Sequence, residues 1–220
     1  MIARPTQRVA VLIDTQNMYH SAKHIHGAKL AFGKAVEEVV GNRLTVRVLA
    51  YVARSKNADE AEKAFFDALE ESNIELRMKE VQEFSSGAKK ADWDVGMAVD
   101  AVKLAHKVDV IVLMTGDGDF VPLVEYLQAQ GVIVEVAAFG ESTNAQLRTV
   151  CDRFYDISME GTTALIGARR RPMASKPDQP NKPRIVKKDP DAPVDDENWM
   201  KRPLDLDGDD ERKPQIRVTF

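Results

Sequence analysis

The chain has 220 residues, of which 44% are hydrophobic and 30% charged, a balance typical of globular proteins. Its single cysteine, Cys151, excludes an internal disulfide framework and a cysteine-rich zinc site. The longest early apolar run, residues 9–13, is too short for a membrane span or for the core of a signal peptide. We therefore expect a cytoplasmic protein without a membrane partner.

The charge differs between two parts of the chain. Residues 1–163 contain 18 Lys and Arg against 24 Asp and Glu, a net charge of −6, whereas residues 164–220 have a net charge of +2. The first part is thus not a general binder of polyanions. If it binds nucleic acid, it does so through a local site, through the tail, or through a metal ion that offsets its carboxylates.

The composition predicts one folded domain, residues 1–163, followed by a proline-rich, charged and disordered tail, residues 164–220. The tail has few aliphatic residues to bury and holds eight of the ten prolines. Its basic groups at 169–171 and 187–188 could contact phosphates, or they could serve only to keep the tail solvated. The last five residues suit a short docking strand. The tail is therefore expected to bind nucleic acid, to bind a protein, or to act as a linker.

Strand-like and helix-like segments alternate along the first 163 residues. The predicted strands are 8–13, 46–52, 74–81, 108–114 and 132–139, and the predicted helices are 18–26, 34–40, 58–72, 92–105, 120–130 and 143–153. Short, almost continuously apolar strands are typical of a parallel sheet covered on both faces. The sequence predicts an α/β three-layer sandwich with a mostly parallel central sheet, in which the more polar segment 74–81 is an edge strand.

Acidic residues follow two of these strands. Asp14 ends the first strand, Asp117 and Asp119 follow the strand 108–114, and Asp94 lies near the start of the helix 92–105. In open parallel sheets, sites form beyond the carboxyl ends of strands where the strand order reverses. The first strand and the strand 108–114 are the natural neighbours at that point, so we expect these carboxylates to share one crevice.

Clustered carboxylates raise one another's pKa unless a cation relieves the repulsion. Mg²⁺ prefers such oxygen ligands, and a bound ion can polarise a phosphodiester and activate water. The alternative is helix capping, which suits Asp94, Asp117, Asp119 and also Asp92. Asp14 is harder to explain as a cap, because a carboxylate that closes a buried strand needs a partner.

Two further groups are weaker candidates. Lys90, next to Lys89, precedes the helix and could meet a substrate phosphate or belong to a solvated loop. His20 and His24 are four residues apart and could bind a metal, but the sequence lacks the glutamate of a zincin motif between them, and a solvated helix face is the preferred interpretation.

Three blocks, 12–17, 90–100 and 115–120, together resemble the NYN domain of the PIN-like nucleases in order and spacing, and within it the LabA-like bacterial subgroup. The similarity extends from about residue 8 to residue 159. It implies a ribonuclease dependent on Mg²⁺ or Mn²⁺, with RNA, single-stranded or structured, as the substrate. Carried over by position, the acidic metal-binding residues are Asp14, Asp94, Asp117 and Asp119, with Asp92 as the alternative to Asp94.

The resemblance also assigns supporting roles: Asn17 is the polar partner of the first Asp, and Thr115 is the hydroxyl residue before the acidic turn. The leading hypothesis is a metal-dependent endoribonuclease, and PIN-like proteins often pair, which leaves a homodimer open. The alternative is a non-catalytic regulatory module that binds RNA or protein. A phosphatase of the haloacid dehalogenase type is disfavoured, because Gln16 stands where those enzymes have a second Asp.

Overall fold

The computed structural model describes residues 3–54, 60–80, 82–83, 89–90, 93–158 and 162–166. The strands are β1 Arg8–Asp14, β2 Lys29–Leu30, β3 Leu44–Arg54, β4 Glu75–Glu80, β5 Gln82–Glu83, β6 Lys89–Lys90, β7 Val110–Met114, β8 Ile133–Ala138, β9 Arg153–Asp156 and β10 Leu165–Ile166. The helices are α1 Thr15–His26, α2 Phe32–Val40, α3 Glu60–Glu71, α4 Asp94–Ala105, α5 Val121–Ala129 and α6 Ala145–Val150, with a 3-10 turn at Gly118–Phe120.

Six strands form a parallel sheet in the order β4-β3-β1-β7-β8-β9. Counting only these six strands, this is the doubly wound order, which reverses between β1 and β7. The α/β fold and the parallel sheet are confirmed, and so is the edge position of the polar strand, β4. Two small antiparallel pairs, β2 with β10 and β5 with β6, lie outside this sheet.

The burial of the central strands shows that the sheet is covered on both faces. All five residues of β7 are fully buried, and residues 9–13 of β1 are fully buried as well. A strand buried on both faces reads as a continuous apolar run rather than an alternating one. With this strand order, the rule that crossovers are right-handed predicts α1, α2 and α3 on one face and α4, α5 and α6 on the other.

The predicted helix 143–153 is wrong at its end. Helix α6 stops at Val150, the backbone is extended at Cys151, and Arg153 begins β9. Phe154 and Tyr155 favour a strand, and the guanidinium groups of Arg148 and Arg153 lie over their rings at 4.7 and 4.2 Å. The sequence pattern does not reveal this strand, because it has only four residues and only two residues separate it from the helix.

The last described segment, residues 162–166, is held against α2. The Glu38 carboxylate accepts hydrogen bonds from the Thr162 hydroxyl and from the amide and hydroxyl of Thr163, at 2.6–2.8 Å. The β10–β2 pair carries the described fold to Ile166, three residues past the boundary expected at 163. The predicted disorder of the tail, its basic groups at 169–171 and 187–188 and its final strand at 216–220 lie outside the described residues.

Candidate metal centre

The site lies where β1 and β7 end side by side. Ile13 is paired with Met114 in the parallel register, so Asp14 and Thr115 leave the sheet next to each other. The Thr115 hydroxyl donates to Asp14 Oδ2 at 3.4 Å, which places both side chains on the same face of the sheet. The predicted meeting of these two strand ends is confirmed.

Asp14 is the N-cap of α1, contrary to the expectation that capping hardly explains it. Its Oδ1 accepts the amide of Asn17 at 3.0 Å, because the helix begins directly after the strand and leaves its first amides without helical partners. Burial raises the pKa of the Asp14 carboxyl, the nearby Asp117 carboxylate raises it further, and the bonds from Asn17 and Thr115 oppose the shift.

Asn17 and Thr115 hold the loop after β7 in place. Asn17 Oδ1 accepts the Gly116 amide at 2.9 Å, and Thr115 Oγ1 accepts the Asp117 amide at 3.2 Å. Thr115 is fully buried. These contacts fix the backbone from which Asp117 projects, and the supporting roles of Asn17 and Thr115 at a site stay predictions.

Three carboxylates come together at this loop. One oxygen from each of Asp94, Asp117 and Asp119 lies within 4.8 Å of the other two. Asp94 is the first residue of α4, where the helix dipole favours a negative charge, and the N-cap of that helix is Trp93. Asp117 Oδ1 accepts the Asp119 amide at 3.0 Å, so Asp117 also caps the 3-10 turn. We call Asp94, Asp117 and Asp119 the acidic cluster.

Asp14 lies beside the acidic cluster without belonging to it. It is linked to Asp117 through Thr115, whose hydroxyl donates to Asp14 and whose oxygen accepts from the Asp117 amide. Asp92, the alternative to Asp94, lies outside the described residues. Of the four predicted ligands, the structure therefore brings three together and keeps the fourth as their neighbour.

The donor set fits a hard divalent cation. The acidic cluster offers carboxylate oxygens alone, and no histidine or cysteine of the described residues joins it. Mg²⁺ and Mn²⁺ favour oxygen ligands, whereas zinc and copper sites usually include nitrogen or sulfur. The exposed position of Asp119 leaves the cluster open on one side.

A third loop, which the sequence analysis missed, closes the other side of the site. The Asn144 amide donates to the Gly116 carbonyl at 2.9 Å, while the Asn144 side chain caps α6. A side chain at Gly118 would meet Asn144 Nδ2 at 2.5 Å, so glycine is needed there for close approach. The signal was present in the polar run 141–144 directly after the strand predicted at 132–139.

The remaining predicted residues lie apart from the acidic cluster or outside the described part. Lys90 is in β6, but its side chain is not described, so its contact with a substrate phosphate stays a prediction. The His20 and His24 rings are stacked with an interplanar angle of 5°. Because the nitrogen lone pairs lie in the ring planes, parallel rings do not direct them at one ion.

Comparisons with known proteins identify a family, a related sequence and a similar fold. The sequence model of the NYN domain matches residues 8–159. Low amplitude and bright protein LabA from Synechococcus elongatus is 27% identical over 165 residues, which cover 72% of this chain and 87% of LabA. A crystal structure of a protein of unknown function from Vibrio parahaemolyticus has a TM-score of 0.65 and 28% identity, covering 71% of this chain and 96% of that one. Among the described residues, no helix has the length and apolar character to cross a membrane.

Proposed function

Because the chain belongs to the NYN domain family, we propose that it is a ribonuclease that hydrolyses RNA phosphodiester bonds with Mg²⁺ or Mn²⁺ held by Asp94, Asp117 and Asp119. The observation that carries this proposal is the convergence of the three carboxylates at the reversal in strand order. Family membership supports nuclease chemistry, and the oxygen-only donor set supports a hard cation.

The residues of the acidic cluster would hold the ion. Neighbouring side chains keep the loop that carries Asp117 in place. A divalent ion bound there would polarise the phosphodiester and lower the pKa of a bound water. Thr115 and Asn17 fix the loop that carries Asp117, through the Asp117 and Gly116 amides. Asp14 anchors the start of α1 and the Thr115 hydroxyl, and its direct binding to the ion stays a prediction.

Charge gives an independent reason for a cation. Residues 1–163 have a net charge of −6, and the acidic cluster adds a concentrated negative field at the site itself. A phosphodiester would be repelled from this crevice unless a cation offset the carboxylates. RNA bound at the site should therefore be retained only with a divalent ion, whereas a metal-independent RNA-binding module would not show this dependence.

The test measures cleavage of a labelled single-stranded RNA by the full chain with Mn²⁺. Asp117→Asn and Asp119→Asn retain the side-chain oxygens and remove the charges. We expect each to reduce cleavage by more than the roughly 10–100-fold typical of losing a residue that supports a metal site. The matched control is Glu125→Gln, because Glu125 is an exposed acidic residue on α5. Cleavage of a circular RNA distinguishes an internal cut from one that starts at an end.

Two outcomes would overturn the proposal. Equal cleavage by the parent protein and by both cluster variants would mean that a contaminating nuclease is responsible. No cleavage with any divalent ion, together with RNA binding that a chelator does not change, would instead support the non-catalytic regulatory module.

A further inference from the structure

Helix α1 differs in charge from the acidic part of the chain that surrounds it. Its twelve residues include no Asp or Glu, but they include one lysine, one tyrosine and three histidines. The helix begins directly after Asp14, so this surface starts at the candidate metal centre. It provides the local site that a nucleic acid would need on a domain with a net charge of −6.

Three aromatic side chains of α1 form a continuous cluster near its surface. The His20 and His24 rings are parallel, with centroids 5.7 Å apart, and the Tyr19 ring meets His20 edge to face at 5.6 Å. Tyr19 is 42% exposed, and the Lys23 ammonium lies 5.6 Å from its ring centroid. We call Tyr19, His20 and His24 the aromatic platform.

The platform lies on the solvent-facing side of α1 and continues from the metal centre. Met18 and Ala22 are buried against the core, on a different side of the helix from the platform. Asn17 and His20 are three residues apart and therefore neighbours on the helix surface. Asn17 holds the Gly116 amide, so this side of α1 faces the loop of the acidic cluster. With a rise of 1.5 Å per residue, His20 lies about 9 Å along the axis from Asp14.

We propose that Tyr19, His20 and His24 are a base-stacking site for unpaired nucleotides of an RNA single strand whose reacting phosphate lies at the acidic cluster. This inference rests on the proposed function and names the part of the substrate that the enzyme holds beside the cut. Base faces stack on aromatic rings without sequence preference, and they are accessible only where the bases are unpaired. Lys23, next to the platform, supplies a charge for the backbone phosphates.

His20 acts as a stacking surface rather than as a cation. Burial lowers the pKa of His20, and the neighbouring His24 and Lys23 lower it further, which favours the neutral ring at pH 7. Substituting phenylalanine for the histidines should then preserve binding, whereas alanine should remove it.

The experiment measures binding of a short fluorescent single-stranded RNA to the full chain carrying Asp117→Asn, which prevents cleavage, at a Mn²⁺ concentration high enough to saturate its weakened metal site. We expect His20→Ala with His24→Ala to weaken binding by at least about fivefold, the lower limit for the loss of one stacked base. His20→Phe with His24→Phe should bind as tightly as the parent. The control, His106→Ala, removes an exposed histidine at the end of α4 and should have no effect.

Two further measurements separate stacking from charge. Lys23→Gln should reduce the slope of log affinity against log salt by about 0.7, the value for one phosphate contact on a single strand, and the alanine pair should leave the slope unchanged. A strand whose nucleotides lack bases should bind equally to the alanine pair and to the parent. Equal RNA affinity for the alanine pair and the parent, or an equal loss with the strand that lacks bases, would overturn the platform.

The platform proposal and the nuclease proposal can fail independently of each other. If the parent never cleaves RNA but the alanine pair still loses base-dependent binding, the nuclease proposal fails and the platform remains. If the parent cleaves RNA and the alanine pair binds and cleaves as the parent does, the platform fails and the nuclease proposal remains.

Discussion

Asn17 provides a sensitive test of how the site is held together. Its side-chain oxygen accepts the amide of Gly116 at 2.9 Å, and Gly116 is buried. Asn17→Ala would leave that amide without its partner in a place that water hardly reaches. An unsatisfied buried donor destabilises a protein by about 1–3 kcal/mol. At about 2–4 °C per kcal/mol for a domain of this size, the melting temperature should fall by roughly 2–12 °C.

The effect of Asn17→Ala should also be local. Hydrogen exchange of the Gly116 amide should become faster, because its acceptor is lost, while amides in the centre of β1 exchange at rates set by global stability. RNA cleavage should fall by roughly 10–100-fold, as expected when a residue that orients a metal ligand is removed. Gln16→Ala, at the preceding residue, is the matched control and leaves the Asn17–Gly116 bond in place. An unchanged melting temperature together with unchanged Gly116 exchange in Asn17→Ala would refute the positioning role.

Other expected outcomes concern charge. Burial raises the pKa of Asp14 in the folded protein, so its contribution to stability is greatest at low pH and is lost as pH rises through that pKa. Asp14→Asn, which keeps the cap, should therefore melt at a higher temperature than the parent at pH 7 without divalent ions, and the gap should close towards pH 4; a gap independent of pH would contradict this. Glu135→Ala would leave Arg43 buried without its bidentate partner and should destabilise the fold by about 3–5 kcal/mol in denaturant titrations. The exposed Arg8–Asp109 ion pair is the control for burial, and Asp109→Asn should change the free energy of unfolding at pH 7 by less than about 1 kcal/mol. Equal losses of stability in Glu135→Ala and Asp109→Asn would contradict the role of burial.

The local order of the chain was sufficient to predict the sheet and the place of the site. Apolar runs separated by helical segments gave the parallel strands, and an acidic residue after each of two neighbouring strands indicated their common crevice. Asp14 and Asp117 could be placed at the same edge because the carboxyl ends of parallel strands meet there.

The contacts that complete the fold could not be predicted, because they join residues far apart in the chain. Arg43 reaches Glu135 across 92 positions, and neither residue lies in a motif that identifies its partner. Asn144 closes the site through a backbone amide, which any residue other than proline provides. The capping role of Asp14 was underestimated because the helix begins three residues earlier than the sequence predicted, at Thr15 rather than at residue 18.

The most direct test of the metal centre is Mn²⁺ binding to the full chain, measured by titration calorimetry without RNA. The parent protein and Glu125→Gln should bind Mn²⁺ saturably and with equal affinity. Asp117→Asn and Asp119→Asn should each weaken binding by more than about tenfold, because each removes a charged ligand from the cluster. Saturable binding that is the same in all four proteins, or no saturable binding by the parent, would contradict the assignment of Asp94, Asp117 and Asp119 as a metal site.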